Sequence, residues 1–164
     1  MEGELQKKLL KKAAALLARR AYSRGEMRSR LSKFPEEEVE VVLDRLEQLN
    51  LLNDAEYAYN HAFCRMKQAG WGPVKVHDFL LRHCVAPQLA ESAIDRVRRE
   101  ISDGVALAEY LQRHCQKRQL PENPNGIRKL VSHLRRRGFH EDTIYDVLRQ
   151  MIPAPVWQGF ETGE

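Results

Sequence analysis

Apolar residues recur at i, i+3, i+4 and i+7 in three separate stretches: Val39, Val42, Leu43 and Leu46; Ala90, Ala93, Ile94 and Val97; Ile144, Val147, Leu148 and Met151. With 3.6 residues per turn these positions return to one side of a helix, so each set predicts an amphipathic α-helix. An i, i+4 apolar pair stands before each stripe: Met27 and Leu31, Val76 and Leu80, Leu130 and Leu134. The gap from pair to stripe is ten residues in the second and third copies and eight in the first, a difference that a shorter turn explains. The stripes lie 51 residues apart (Leu43 to Ile94) and then 54 (Ile94 to Leu148), a drifting period typical of helical repeats. A further helix is predicted ahead of each pair. The first covers roughly 5–22, with Leu9, Ala13, Leu16 and Leu17 on one face. The second covers roughly 54–69, with Tyr59, Ala62, Phe63 and Met66, and the third roughly 104–118, with Ala108, Leu111 and Cys115.

No window alternates with period two for long enough to argue for a strand. The predicted fold is therefore all-α: an elongated array of three tandem three-helix repeats, helix-turn-helix-like units, with about nine helices. Repeat 1 spans 1–52, repeat 2 spans 53–102 and repeat 3 spans 103–152. Residues 153–164 are predicted to form a flexible tail.

The residues between the stripes agree. Ser23-Arg24-Gly25-Glu26 has the form of a capping box, and Asn53-Asp54-Ala55-Glu56 is a weaker version of it. Pro35, Pro73 and Pro87 suit first helical turns, and Gly70 and Gly138 suit helix exits. Asn123-Pro124-Asn125-Gly126 reads as a loop. Pro153-Ala154-Pro155 ends the last helix, and the stretch beyond it carries Trp157 and Phe160 without a period. It is expected to fray, as termini do unless docked; the other option is that Trp157 packs back on the last repeat.

Composition narrows the class. With 43% apolar and 30% charged residues, the chain is too apolar for disorder and too charged for a membrane interior. No apolar run approaches the ~18–20 residues that cross a bilayer, and the first residues mix acids with bases, unlike a signal peptide. Three cysteines (Cys64, Cys84, Cys115) form no disulfide pattern, so a cytoplasmic location is expected. The net charge of +4 is unevenly spread: residues 1–33 hold ten Lys/Arg and three acids, and residues 36–47 hold six acids and one Arg. Such polarity suits contact with a charged partner.

Candidate chemistry is sparse. His83-Cys84, His114-Cys115 and His61 with Cys64 offer soft ligands, but adjacent residues on a helix point apart and no zinc spacing is present, so no metal site is expected. No glycine-rich phosphate loop, His-Glu-x-x-His or nucleophile elbow occurs, and no enzyme activity or cofactor is expected. Glu36-Glu37-Glu38 and Glu141-Asp142 open the third helices and would repel phosphate, which argues against major-groove readout there. The basic clusters carry more weight: Arg24, Arg28 and Arg30; Arg98 and Arg99; Arg135, Arg136 and Arg137. Part of each cluster compensates a helix C-terminus, worth about 0.3–1 kcal/mol per cation. Three consecutive arginines exceed that need. These eight residues are the candidate partner contacts, chosen on charge clustering.

Several blocks resemble the RecX family of bacterial recombinase regulators, and the resemblance covers residues 9–151. Leu16-Leu17-Ala18-Arg19-Arg20-Ala21-Tyr22-Ser23-Arg24-Gly25-Glu26-Met27-Arg28-Ser29-Arg30-Leu31 is similar to the family's opening block. Leu43-Asp44-Arg45-Leu46 followed by Leu51-Leu52-Asn53-Asp54-Ala55-Glu56-Tyr57-Ala58 resembles its most recognisable stretch. Gly70-Trp71-Gly72-Pro73 and Leu134-Arg135-Arg136-Arg137-Gly138-Phe139 are similar to later repeat signatures. The turn Lys33-Phe34-Pro35 lacks the family's Gly before Phe, and His83-Cys84-Val85 replaces a Gly-hydrophobic step.

The resemblance implies a helical-repeat protein that binds the RecA–single-stranded DNA filament across neighbouring subunits. It would thereby limit ATP hydrolysis, strand exchange and co-protease activity in the response to DNA damage. It implies that no cofactor is needed; a monomer with no membrane partner is expected. Two further readings stay open. The chain binds nucleic acid directly through its basic patches, single-stranded DNA included, or it is an interaction scaffold unrelated to DNA.

Overall fold

The computed structural model describes residues 2–115 and 119–162, and these contain helix but no strand. The helices are α1 (Glu2–Leu17), α2 (Arg24–Leu31), α3 (Glu36–Gln48), α4 (Asp54–Phe63), a π-helical turn (Cys64–Gln68), α5 (Pro73–Arg82), α6 (Pro87–Glu100), α7 (Asp103–Cys115), α8 (Pro124–Arg136), α9 (Glu141–Met151) and α10 (Ala154–Thr162). They divide into two compact units, Met1–His61 with Phe79–Ala93, and Ala62–Asp78 with Ile94–Glu164.

In the first unit, α1 and α2 pack on α3 around Leu9, Ala13, Met27, Leu31, Val39, Val42, Leu43 and Leu46. Full burial of each large apolar side chain here contributes about 1.5–3 kcal/mol. In the second unit, α7 packs on α9 and α8 on α9 and α10, enclosing Leu107, Leu111, Ile127, Leu134, Ile144 and Leu148. All three stripes are therefore inward faces: Ala90, Ala93, Ile94 and Val97 are buried, and of the third stripe only Met151 is half-exposed.

Local chemistry sets where helices begin. The Ser23 hydroxyl accepts from the Glu26 N–H at 3.1 Å while the Glu26 carboxylate accepts from the Ser23 N–H at 3.2 Å, completing the capping box. Ser23 is extended to do this (φ −73°, ψ 161°), and α1 ends at Leu17, with a turn over 18–20, rather than running to residue 22. Asn53 Oδ1 accepts from the Glu56 N–H at 3.1 Å, which is half of the same device. Pro73 and Pro87 open α5 and α6, whereas Pro35 sits one position earlier, as the N-cap of α3. Gly70 (φ 64°) and Gly138 (φ 88°) are left-handed exits.

Other expectations are corrected. Asn123-Pro124-Asn125-Gly126 is not a loop: Asn123 caps α8 by accepting from the Gly126 N–H at 2.9 Å, and Pro124 is its first residue. Proline at N1 loses no helical bond, so Pro-Asn-Gly starts the helix here instead of turning. The tail is also helical from Ala154 to Thr162. Trp157 is buried in the second unit's core against Tyr145 and Phe160, and its Nε1–H donates to Glu161 at 2.8 Å. The apolar tail lacked a long period because one anchor, not a stripe, holds it.

In α4, Tyr57, Ala58 and Ala62 are buried, with Tyr59 and Phe63 half-buried; the π turn breaks the register after Phe63 and buries Met66. In α7, Ala106 and Leu107 join Leu111 inside while Ala108 is half-buried. The expected extension of that helix over 116–118, and the side chain of Cys115, lie outside the described residues. In α8, Ile127 and Val131 take the core positions and Leu130 is half-buried.

Each unit contains one junction of the same construction. In the first, the start of α2 meets the exit of α5: the Ser23 hydroxyl donates to the His83 carbonyl at 2.5 Å, and a methyl at Gly25 would lie 2.4 Å from Cys84 Cβ. In the second, the start of α5 meets the exit of α8. There the Gly72 N–H donates to the Arg137 carbonyl at 2.7 Å and the Val74 N–H to the Gly138 carbonyl at 3.2 Å. A methyl at Gly72 would lie 2.2 Å from the Gly138 backbone. The exit residues Cys84 (φ 59°) and Gly138 (φ 88°) are both left-handed.

Candidate partner-binding surface

The charge pattern takes on a different meaning once α2 lies against α3. Glu40, Asp44 and Glu47 recur at i, i+4 and i+7 and share one flank of α3, and Arg24 and Arg28 share the facing flank of α2. The Arg24 guanidinium donates to Glu40 and Asp44 at 2.7 Å each and to Glu47 at 2.5 Å. Its backbone N–H donates to Asp54 at 2.6 Å. Arg28 grips Glu40 with two bonds, at 2.5 and 3.0 Å. Hydrogen bonds from Arg28 and then Arg24 hold the Glu40 carboxyl down at about 2. Burial pushes the Asp54 carboxyl up, against the Arg24 N–H that favours its charged form. The basic N-terminal third and the acidic segment after it thus partly neutralise each other within one unit.

A second hub is Glu26. It accepts two bonds from Arg20, at 3.1 and 3.0 Å, one from the Ser23 N–H and one from the Tyr57 hydroxyl at 3.1 Å. Burial pushes its pKa up, but the Arg20 and Ser23 bonds outweigh it and the carboxyl stays below the usual range. Burial and the Glu26 charge push the Tyr57 phenol up.

The other arginines divide the same way. Arg98 holds Asp103 through Nε at 3.0 and 3.1 Å, with Asp95 at 3.8 Å. Arg135 pairs with Glu141. Arg137 Nε donates to the Gly70 carbonyl at 2.8 Å, its Nη2 to Ala69, and its guanidinium lies 4.4 Å from the Tyr110 ring centre. Arg24, Arg28, Arg98, Arg135 and Arg137 are therefore committed to internal partners. Arg30, Arg99 and Arg136 are exposed and, among the described residues, make no ion pair. They lie on α2, α6 and α8.

Counting charge along the chain could not separate these groups. The usable signal was the matched spacing, an i, i+4 arginine pair followed by an i, i+4, i+7 acidic flank, which marks two helix faces that pair with each other.

Among the described residues no three His, Cys, Asp or Glu side chains gather around a metal-sized position, and Cys64 and Cys84 are unpaired and exposed. A cleft of about 450 Å³ in the second unit is lined by Phe63, Lys67, Gln68, Glu109, Gln112 and Arg113. Arg113 is occupied there by the carbonyls of Gln68 and Lys67 at 3.1 and 3.0 Å. No helix among the described residues is long and apolar enough to cross a membrane.

Comparison with known proteins points one way. No family model matches the chain. It is similar to the regulatory protein RecX of Prosthecochloris aestuarii, 30% identical over 151 residues, which cover 89% of this chain and 95% of that protein. It is also similar to the regulatory protein RecX of Thermus thermophilus, 37% identical over 89 residues, which cover 54% of this chain and 61% of that protein. The crystal structure of RecX from Lactobacillus salivarius superimposes with a TM-score of 0.77 at 22% identity, covering 91% of this chain and 97% of that one, a likeness of fold.

Proposed function

Because this chain belongs to the RecX family of regulatory proteins, we propose that it binds the RecA–single-stranded DNA filament and restrains RecA's ATPase, strand exchange and co-protease activity. The observation that carries the reading, beyond the family, is that three of the eight candidate arginines are exposed and make no ion pair among the described residues. Arg30, Arg99 and Arg136 lie in successive thirds of the chain, in or at the end of the last turn of their helices. Cations carried by successive segments of the chain suit a partner that repeats, because contacts to neighbouring subunits add through effective concentration. Guanidinium forks suit carboxylate or phosphate. Arg24, Arg28, Arg98, Arg135 and Arg137 would shape that surface through their internal bonds rather than leave them.

The division into repeats at 1–52, 53–102 and 103–152 belongs to the same proposal. The duplicated junction supports it, since Cys84 and Gly138 stand 54 residues apart, as Ile94 and Leu148 do. The protein acts by occupancy, as a monomer in the cytoplasm, with no catalytic step or cofactor of its own.

The test is a titration of the purified protein into RecA, single-stranded DNA and ATP. Phosphate release should fall as the protein is added, and an Arg30→Ala/Arg99→Ala/Arg136→Ala variant should require a higher concentration for the same effect. An unchanged rate over a wide range of wild-type concentration would overturn the reading.

A further inference from the structure

The second helix of the last segment is unusual in having no acid. From Pro124 to Arg136, α8 carries Arg128, Lys129, Arg135 and Arg136 and neither Asp nor Glu. Its division of faces is clean: Ile127, Val131 and Leu134 are buried, while Asn125, Arg128, Lys129, Ser132, Arg135 and Arg136 are exposed. Helical spacing places Lys129 and Arg136 two turns apart on one line, with Ser132 between them and Arg128 one turn before Ser132. Arg135 is engaged by Glu141. Arg128 makes only a 3.5 Å contact with Asn125 Oδ1, one turn earlier. Lys129 and Arg136 have no ion-pair partner among the described residues. On the neighbouring α10, Glu161 is already held by Arg149 and by Trp157 Nε1–H, both at 2.8–2.9 Å.

We infer that the exposed face of α8 is a contact surface for a phosphodiester backbone, with Arg128, Lys129 and Arg136 pairing to phosphates and Asn125 and Ser132 donating as neutral groups. The composition favours phosphate over an acidic protein surface. Protein interfaces bury an apolar centre and are depleted in Lys and Ser, and this face has no apolar side chain. Nucleic-acid interfaces are polar, strongly positive and supplied with Ser and Asn donors. The reach also fits. Arg128 to Arg136 spans about 12 Å of helix at 1.5 Å per residue, long enough for its long side chains to meet more than one backbone phosphate. The inference takes its setting from the filament reading above, but its test does not depend on that reading.

The probes are fluorescein-labelled dT20 and a 20-base-pair duplex, followed by anisotropy with the full chain across a salt series. Arg128→Ala/Lys129→Ala/Arg136→Ala is compared with Lys8→Ala/Lys11→Ala/Arg19→Ala, which removes the same charge from the exposed side of the N-terminal segment. All six side chains are exposed, and circular dichroism checks that both variants keep the helical fold. The α8 variant should bind at least about tenfold more weakly, with the salt slope reduced by about 2, since each single-strand phosphate contact contributes roughly 0.7. The control should change less than about threefold. The stronger of the two probes identifies the strand form.

Equal losses in both variants, or no binding of either probe by the wild type, overturn the inference. If the wild type binds neither probe while the α8 variant loses inhibition of RecA, the face reads a protein: the inference falls and the filament reading stands. If both probes behave as expected and RecA is unaffected, the inference stands and the filament reading falls.

Discussion

The backbone crossing at Gly72 leaves no room for a side chain, and replacing this glycine with alanine should cost about 3 kcal/mol of stability. A methyl there would sit 2.2 Å from the Gly138 carbonyl carbon and oxygen and 2.3 Å from the Phe139 nitrogen. Non-bonded carbon contacts are comfortable near 3.5–4.0 Å, so two backbones must separate by more than an ångström. No side chain can rotate out of the way. Overpacking of this kind costs about 1–3 kcal/mol. Separation also stretches the Gly72 N–H to Arg137 bond (2.7 Å) and the Val74 N–H to Gly138 bond (3.2 Å), each worth about 0.5–1.5 kcal/mol. For a chain of this length 1 kcal/mol moves the melting point by about 2–4 °C, so a loss of about 6–12 °C is expected in thermal unfolding followed by circular dichroism. Gly3→Ala is the control, since nothing lies within 4 Å of that position. A Gly72→Ala protein melting within about 2 °C of the wild type would show that the two backbones do not touch and refute the junction as described.

Cys84 occupies a left-handed conformation (φ 59°) that costs an L-residue about 1 kcal/mol or more; Cys84→Gly should raise the melting point by about 2–4 °C, and a decrease would contradict the account. Trp157→Ala should cost about 3 kcal/mol, measurable by urea unfolding, whereas an unchanged midpoint would mean that α10 does not dock. The Glu40 carboxyl titrates at about 2 in the folded chain, against 4.5 when unfolded. Its contribution is therefore complete above pH 4.5 and lost as the pH falls toward 2. Glu40→Gln should lower stability at pH 7 by about 1 kcal/mol or less, given its partial exposure. Thermal melts from pH 7 to pH 2 should show that gap closing, and a constant gap would rule out the arginine clamp as its cause.

Much of the fold was legible along the chain because the helices are amphipathic and their ends carry local chemistry. The stripes at Val39–Leu46, Ala90–Val97 and Ile144–Met151 needed only the helical period to be recognised as inward faces. Ser23 and Glu26 needed only their three-residue spacing to announce the start of α2. Asn123-Pro124 was harder, since the same residues open a turn or cap a helix, and the choice depends on whether Ile127, Val131 and Leu134 find a core. The tail helix leaves no pattern for a related reason: one buried indole docks nine residues, and a single anchor has no period.

What the chain by itself determined was the all-helical class, the inward faces of the three stripes, and the starts of α2, α5 and α6. All of these follow from interactions spanning a few residues. Tertiary structure alone decided which cations are held by internal partners and which face solvent. Arg24 and Arg30 stand six residues apart in the same short helix, yet one faces the acids of α3 and the other faces solvent. A guanidinium hydrogen-bonded to carboxylates has its charge balanced locally, and no count along the sequence records which helix faces meet.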